Sequence, residues 1–254
     1  LRGTLNKAHH WVTKSIFLTK LNFKATLFLG SAYIFAYLLI PTIPNLSFIS
    51  PFLIIAWPIS TMIFINFFRL SLDNKQTEFK DILKIDKKNL RGLIYLGLIC
   101  LFYSLLISLI LSQDIKSIIA IASESEIQEN ISNNAVSIVV KFMVLAIPIL
   151  MATWFSPILI SYHNFDLVKA IKSSFAGVLL SIIPITLAWL ILLGGFISLI
   201  FLMIMIFTIL GAGTNILLSY VLIFFCMVTL AAYIATLFSF QFVTYNDIYK
   251  SIIK

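Results

Sequence analysis

Apolar residues fill this chain in long runs, and polar residues gather in the short stretches between them. A helix needs ~20 mostly apolar residues to cross ~30 Å of hydrocarbon. Six runs fit that requirement. The first covers about 25–40 and closes on Pro41, Thr42, Ile43 and Pro44, a tight hairpin turn. The second covers 48–68, with Pro51 near its start and Pro58 inside. The third is 92–112, and the fourth is 135–160 with Pro148 and Pro157 within it. The fifth lies in 175–210, far longer than one span requires. Pro184 divides that stretch into an interfacial lead-in and a crossing helix at 184–210. The sixth is 215–243, entered through Gly211, Ala212 and Gly213. The pattern predicts an all-α membrane protein of six transmembrane helices, forming one transmembrane domain over 1–254.

A second pattern lies over the first. Ahead of each pair of spans stands a short basic segment with apolar residues at helical spacing. In 77–91, Phe79, Ile82, Leu83 and Leu90 oppose Lys80, Asp81, Lys84, Lys87 and Lys88. In 166–175, Leu167, Val168, Ile171 and Phe175 oppose Lys169 and Lys172. The segment 11–22 is patterned less cleanly. Such helices lie in the interface, apolar face toward the acyl chains and lysines toward phosphates. Each pair of spans then leaves through an aromatic-polar exit: Phe67-Phe68-Arg69, Tyr162-His163-Asn164-Phe165-Asp166 and Tyr245-Asn246-Asp247-Ile248-Tyr249. The chain thus reads as a threefold repeat of parallel helix hairpins, each led by an interfacial amphipathic helix.

Composition agrees with lipid as the solvent. Hydrophobic residues make up 61% and charged residues 11%, with a mean hydropathy of +1.06; a soluble domain is about 45–50% apolar and about 25% charged. The net charge of +8 raises the question of nucleic acid, and its distribution answers it. Arg2, Lys7, Lys14, Lys20 and Lys24 precede the first span. Arg69, Lys75, Lys80, Lys84, Lys87, Lys88 and Arg91 lie between the second and third. Lys169 and Lys172 lie between the fourth and fifth, and Lys250 and Lys254 follow the sixth. The opposite side holds Lys116 beside Asp114, Glu124, Glu126 and Glu129. Lysine and arginine in short loops mark the cytoplasmic side, which puts both termini in the cytoplasm of a bacterium and the spans in its inner membrane. The partners expected are anionic lipids, not nucleic acid. No small-residue cleavage site follows the first run, so it reads as an anchor that stays. The outer segment 113–134 carries a helical stripe at Ile115, Ile118, Ile119 and Ala122.

Residue chemistry adds little. There is no His-Glu-x-x-His, Gly-x-Ser-x-Gly, phosphate-binding glycine loop or Cys-x-x-Cys. No catalytic, cofactor-binding or metal-binding set is therefore expected. Asp and Glu are missing from all six runs, and with them the usual proton and cation carriers of transporters. Lys141 is the one intramembrane charge, the seventh residue of the fourth run. At 1.5 Å per residue it lies ~9–10 Å below the outer end, within reach of the interface if its stem snorkels, and no acid within the runs is there to pair with it. Lys80, Lys84, Lys87, Lys169 and Lys172 are the candidates for lipid head groups. His9, His10 and His163 read as interfacial polar residues, Cys100 and Cys226 as small buried hydrophobes, and Trp11, Trp57, Trp154 and Trp189 as belt or packing residues. Gly194, Gly195 and Ser198, and Ala231, Ala232 and Ala235, permit close helix approach.

Met151-Ala152-Thr153-Trp154-Phe155-Ser156-Pro157, running on to Val168-Lys169-Ala170-Ile171-Lys172-Ser173-Ser174-Phe175, resembles a family of uncharacterised proteobacterial six-helix inner-membrane proteins. Members carry a Trp-Phe-Ala-Pro-like turn and then an Ala-x-Lys-x-Ser-like helix entering the next span. Tyr245-Asn246-Asp247-Ile248-Tyr249 resembles their C-terminal ending, and Trp11 resembles a family Trp near the start. The family is distantly similar to the membrane domain of some glycerophosphodiester phosphodiesterases. The resemblance implies a six-helix inner-membrane fold and brings no activity with it.

These readings lead to a non-enzymatic inner-membrane protein, an accessory or scaffold subunit that contacts lipid and partner proteins in a larger membrane complex. The alternative is a small permease or lipid-handling transporter, with a path between the repeats lined by kinked spans and Lys141. A dry, Phe-filled core favours the first; a lateral or central cavity favours the second.

Overall fold

A computed structural model of the protein describes residues 2–73, 79–123, 128–211 and 215–249, with backbone alone at 2, 79, 115, 117–123 and 128–135. Helix α1 (Arg2–Leu21) leads into α2 (Phe23–Ile34), and α3 (Ser50–Leu72) is followed by the single turn α4 (Phe79–Ile82). Then come α5 (Lys87–Ser123), α6 (Gln128–Thr153), α7 (Ser156–His163), α8 (Leu167–Leu180), α9 (Ile182–Ile209) and α10 (Ile216–Tyr249). The described residues contain no strand. Six stretches are long and apolar enough to cross a membrane: Phe23–Thr42, Pro44–Leu72, Lys87–Asp114, Val136–His163, Ile182–Ile209 and Ile216–Tyr249. They coincide with the six runs read from the sequence, and the chain is a multi-pass membrane protein.

The prolines account for the local irregularities. Pro41 has no N–H to donate and crowds the preceding turn, and the helix of the first span loosens into a wide turn at Phe35–Leu39 and a tight one at Ile40–Thr42. Pro51 and Pro157 stand in the first turns of α3 and α7, where a missing N–H costs nothing. Pro157 therefore starts a new helix, and the fourth span is broken at Trp154 and Phe155. The lead-in α8 separates from α9 at Ser181, three residues before Pro184, which stands in the first turn of α9.

One end of the bundle carries the start of α1 and the end of α10. There Lys7 pairs with Asp247 at 3.2 Å, Asn22 Nδ2 donates to Ser71 Oγ at 3.0 Å, and His163 Nε2 lies 2.7 Å from Tyr245 Oη. The core sits in this basic half. Trp11, Phe67, Phe68, Phe155 and Phe240 are fully buried in it. Toward the opposite end the helices part: Phe142, Met143 and Val144 of α6, Phe201 and Met205 of α9, and Leu217, Tyr220 and Phe224 of α10 are all exposed. Only 6% of the most apolar window is buried in the fourth and fifth spans, against 28% in the second. The bundle is closed at its basic end and splayed at the other.

Three interfacial expectations need correction. Helix α1 does not lie flat in lipid: Ala8, Trp11, Val12, Ser15, Leu18 and Thr19 form a continuous buried stripe against α9 and α10. It runs antiparallel to α10, with Trp11 against Phe240, Ser239 Oγ donating to Ser15 O at 3.1 Å, and Thr19 bonded to Thr236 at 3.2 Å. Ser15 and Thr19 also donate to the carbonyls one turn back, so they bury like small apolar residues. In 77–91 the described part is two pieces, α4 and the start of α5, separated at Leu83–Asp86. In α8 the packed face is Ala170, Ser174, Gly177 and Val178; Val168 and Phe175 of the expected lipid-facing stripe are exposed, but Leu167 and Ile171 of that stripe pack against the core.

Close approach between spans rests on two glycines. A Cβ on Gly30 would strike the carbonyl of Ala231, and one on Gly97 the carbonyl of Ile55, so α2 meets α10, and α5 meets α3, backbone to backbone. Ala231 and Ala235 are buried as expected, but Gly194 and Gly195 have open space around them and pack against nothing. Helices α6, α5, α3, α10 and α9 follow one another in an arc, with α2 on α10. Among the described residues no packed interface joins α6 to α9, and α8 crosses that gap only at the basic end.

Candidate functional site

The gap between α6 and α9 leads to a cavity of ≈ 190 Å³. Leu150, Thr153 and Trp154 stand on one flank and Trp189 on the other. Tyr33 and Trp57 close the far side, and Ile234, Leu237, Phe238 and Gln241 of α10 form the back. Phe64 and Phe238 stack at 4.2 Å between centroids, with Tyr33 edge-on to both, so the far wall is a rigid aromatic cluster.

The helix break at Trp154 and Phe155 shapes this wall. A break inside hydrocarbon frees backbone groups that must find partners. The Gln241 amide donates to the Trp154 carbonyl. Ser174 Oγ of α8 accepts from the Phe155 N–H at 2.9 Å and donates to the Met151 carbonyl at 2.8 Å. Thr153 Oγ1 donates to Ile149 O at 2.6 Å. Thr153 and Gln241 are thus engaged with backbone, and what faces the void is mainly aromatic and aliphatic. Such a lining accepts a hydrocarbon chain and offers no coordination shell to an ion.

Lys141 is elsewhere, and it finds an acid just beyond the third apolar run. Its Nζ lies 3.0 and 2.9 Å from the two carboxylate oxygens of Asp114. Helix α5 continues unbroken to Ser123, which carries Asp114 up beside α6. Lys141 does not line the cavity.

The lysines proposed for head groups, Lys80, Lys84, Lys87, Lys169 and Lys172, are exposed. Asp166, Lys169 and Lys172 belong to the end of the bundle that holds the start of α1 and the end of α10, with Lys169 Nζ 4.1 Å over the Phe165 ring. Of these five, Lys84 lines a pocket. That pocket, of ≈ 330 Å³, is lined by Met62, Asn66, Arg69, Lys84, Ile85, Asp86, Asn89, Ser161 and Tyr162. Here the exits of the second, fourth and sixth spans converge: Tyr162 Oη donates to Asn66 Oδ1 at 2.9 Å, Arg69 lies 4.7 Å over the Tyr162 ring, and Tyr245 packs on Tyr162 and stacks on Tyr249. His163 joins this cluster through Tyr245, while His9 and His10 are exposed.

Sequence reasoning passed over Gln241, Ser174, Asn66 and Asn89. Gln241 and Asn66 are amides inside apolar runs, a signal that was present. Compared with protein-family models, curated proteins and solved structures, the chain matches none.

Proposed function

We propose that the protein is a non-enzymatic lipid-handling protein of a bacterial inner membrane, which admits one acyl chain sideways between α6 and α9 into the tryptophan-lined cavity. One observation carries the reading: among the described residues the two spans that flank the cavity share no packed interface, and the void between them is mainly aromatic and apolar, with Thr153 and Gln241 bonded to backbone. In a bilayer the molecules adjacent to such a gap are lipids. The lysine and arginine distribution supports both termini in the cytoplasm, so the packed half would lie in the inner leaflet and the splayed half in the outer. The absence of acids from the six apolar runs argues against ion-coupled uptake. Native mass spectrometry of protein released from nanodiscs tests the reading. One phospholipid should survive stepwise delipidation; loss of every lipid at the same activation energy as bulk annular lipid contradicts it.

A second reading, an accessory subunit of a larger membrane complex, rests on the splayed faces of α6 and α9, where Val140, Met143, Leu199 and Leu202 are exposed. Co-purification in mild detergent separates the two: a stoichiometric membrane partner supports the accessory role.

A further inference from the structure

We infer that the pocket at the basic end is a binding site for a phosphate ester, held by Arg69 and Lys84. The pocket is built from buried polar groups. Asn66, 3% exposed, holds both sides of it: its Nδ2 donates to Ile82 O at 3.0 Å, and its Oδ1 accepts from Tyr162. Asn89, 5% exposed, donates to Ser161 O at 3.1 Å and ties the start of α5 to α7. The first bond fixes the turn that carries Lys84; the second fixes the wall opposite. The guanidinium carbon of Arg69 lies 4.7 Å from the centre of the Tyr162 ring, a cation–π contact that restrains the fork without engaging its N–H donors as a hydrogen bond would. A guanidinium in that state suits the oxygens of a phosphate, which it can hold in two-pronged fashion.

No carboxylate of a described residue lies within ion-pair distance of Arg69 or Lys84. Asp86 lines the same pocket but engages neither cation. Its carbonyl accepts the first helical bond of α5, from Leu90 N at 2.8 Å. Two cations and one separate acid match a phosphate that also bears a donor, a hydroxyl or an ammonium, for Asp86 to accept. This chemistry is shared by phospholipid head groups and by soluble phosphate esters. The site is distinct from the cavity between α6 and α9, and does not depend on it.

The test uses the full-length protein in detergent, probed with phosphatidylglycerol, phosphatidylethanolamine, glycerol 3-phosphate and inorganic phosphate. Binding is followed by native mass spectrometry and by the shift in Tm. Wild-type protein should bind at least one of the four probes saturably. Arg69→Gln and Lys84→Gln should each weaken that binding roughly tenfold or more, while a change at the exposed Lys14 of α1, outside the pocket, to Gln leaves it unchanged. Loss of lipid binding alone identifies a head group; loss of binding to the soluble esters as well identifies the phosphate ester itself. Lys84 is exposed in a short linker, so its variant decides the matter if Arg69→Gln does not fold. Equal binding by wild type and Lys84→Gln, or saturable binding of none of the probes by wild type, overturns the proposal.

Discussion

Lys141 of α6 holds both carboxylate oxygens of Asp114 of α5, at 3.0 and 2.9 Å, and so links the third and fourth spans where the bundle is otherwise splayed. Both side chains are partly open, at 51% and 34%, and deeper in the bundle Tyr103 Oη of α5 donates to the Leu145 carbonyl of α6 at 2.9 Å. Lys141→Met removes this ion pair from the Asp114 side, and Asp114→Asn removes it from the Lys141 side. Each single change should cost about 1 kcal/mol, at the low end of the range for removing one partner. The double variant Lys141→Met with Asp114→Leu should recover most of that. A double-mutant cycle by thermal unfolding in detergent measures the coupling; strict additivity would mean that the pair contributes nothing.

The break in the fourth span is held by two side chains from other helices. Ser174→Ala removes both the acceptor for Phe155 N–H and the donor to Met151 O, and Gln241→Leu strands the Trp154 carbonyl. Each loss should destabilise by about 1–3 kcal/mol, the cost of a buried polar group left unsatisfied. Denaturant titration in mixed micelles reads this directly, and a change below ~0.5 kcal/mol for both would show that the break closes without them.

Glycines separate packed helix faces from lipid-facing ones. Gly30→Ala and Gly97→Ala push a methyl into the backbone of Ala231 and Ile55, and should destabilise by about 1–3 kcal/mol. Gly194→Ala and Gly195→Ala meet open space and should be neutral or slightly stabilising, since alanine is the better helix former. The four Tm values ranked side by side test the arrangement, and a loss at Gly194 equal to that at Gly97 would contradict it.

Orientation is checked by cysteine labelling in a background lacking Cys100 and Cys226. Cysteines replacing Asn45, Ser125 and Gly213 should react with an impermeant thiol reagent in intact cells. Those replacing Gln76, Asn164 and Ser251 should react only after lysis. Outside labelling at Gln76 or Asn164 reverses the proposed topology.

The six spans were legible because hydrocarbon thickness sets a length and an apolar content that few other structures need. The packing face of the lead-in helices was not. Apolar periodicity picks out the greasy face of a helix, and in water that face is the core. In α8 Val168 and Phe175 turn outward as an interfacial helix should, but Leu167 and Ile171 of the same stripe pack against the core beside the small face of Ala170, Ser174 and Gly177, because lipid is as good a solvent for an apolar side chain as the interior is. In α1 the error was of another kind: Ser15 and Thr19 looked polar but satisfy their hydroxyls within the helix and bury. The partner of Lys141 was missed because Asp114 lies just past the apolar run, and only the unbroken course of α5 brings it alongside. Lys84 was legible as an interfacial cation, but the pocket that gathers it with Arg69 depends on Asn66 and Asn89 joining segments 16 and 72 residues apart in sequence.

The central claim is that an acyl chain enters between α6 and α9, and the tryptophans report on it. Trp57, Trp154 and Trp189 line the cavity, whereas Trp11 is fully buried against α10 and does not. Two single-tryptophan proteins, one keeping Trp154 and one keeping Trp11, with the others changed to Phe, are reconstituted with phospholipid brominated along its acyl chains. Quenching requires near contact with bromine. Fluorescence of the Trp154 protein should fall, and saturate with the brominated fraction, while that of the Trp11 protein should hold. Equal resistance of both tryptophans to quenching would mean that the cavity stays empty of lipid and would contradict the account.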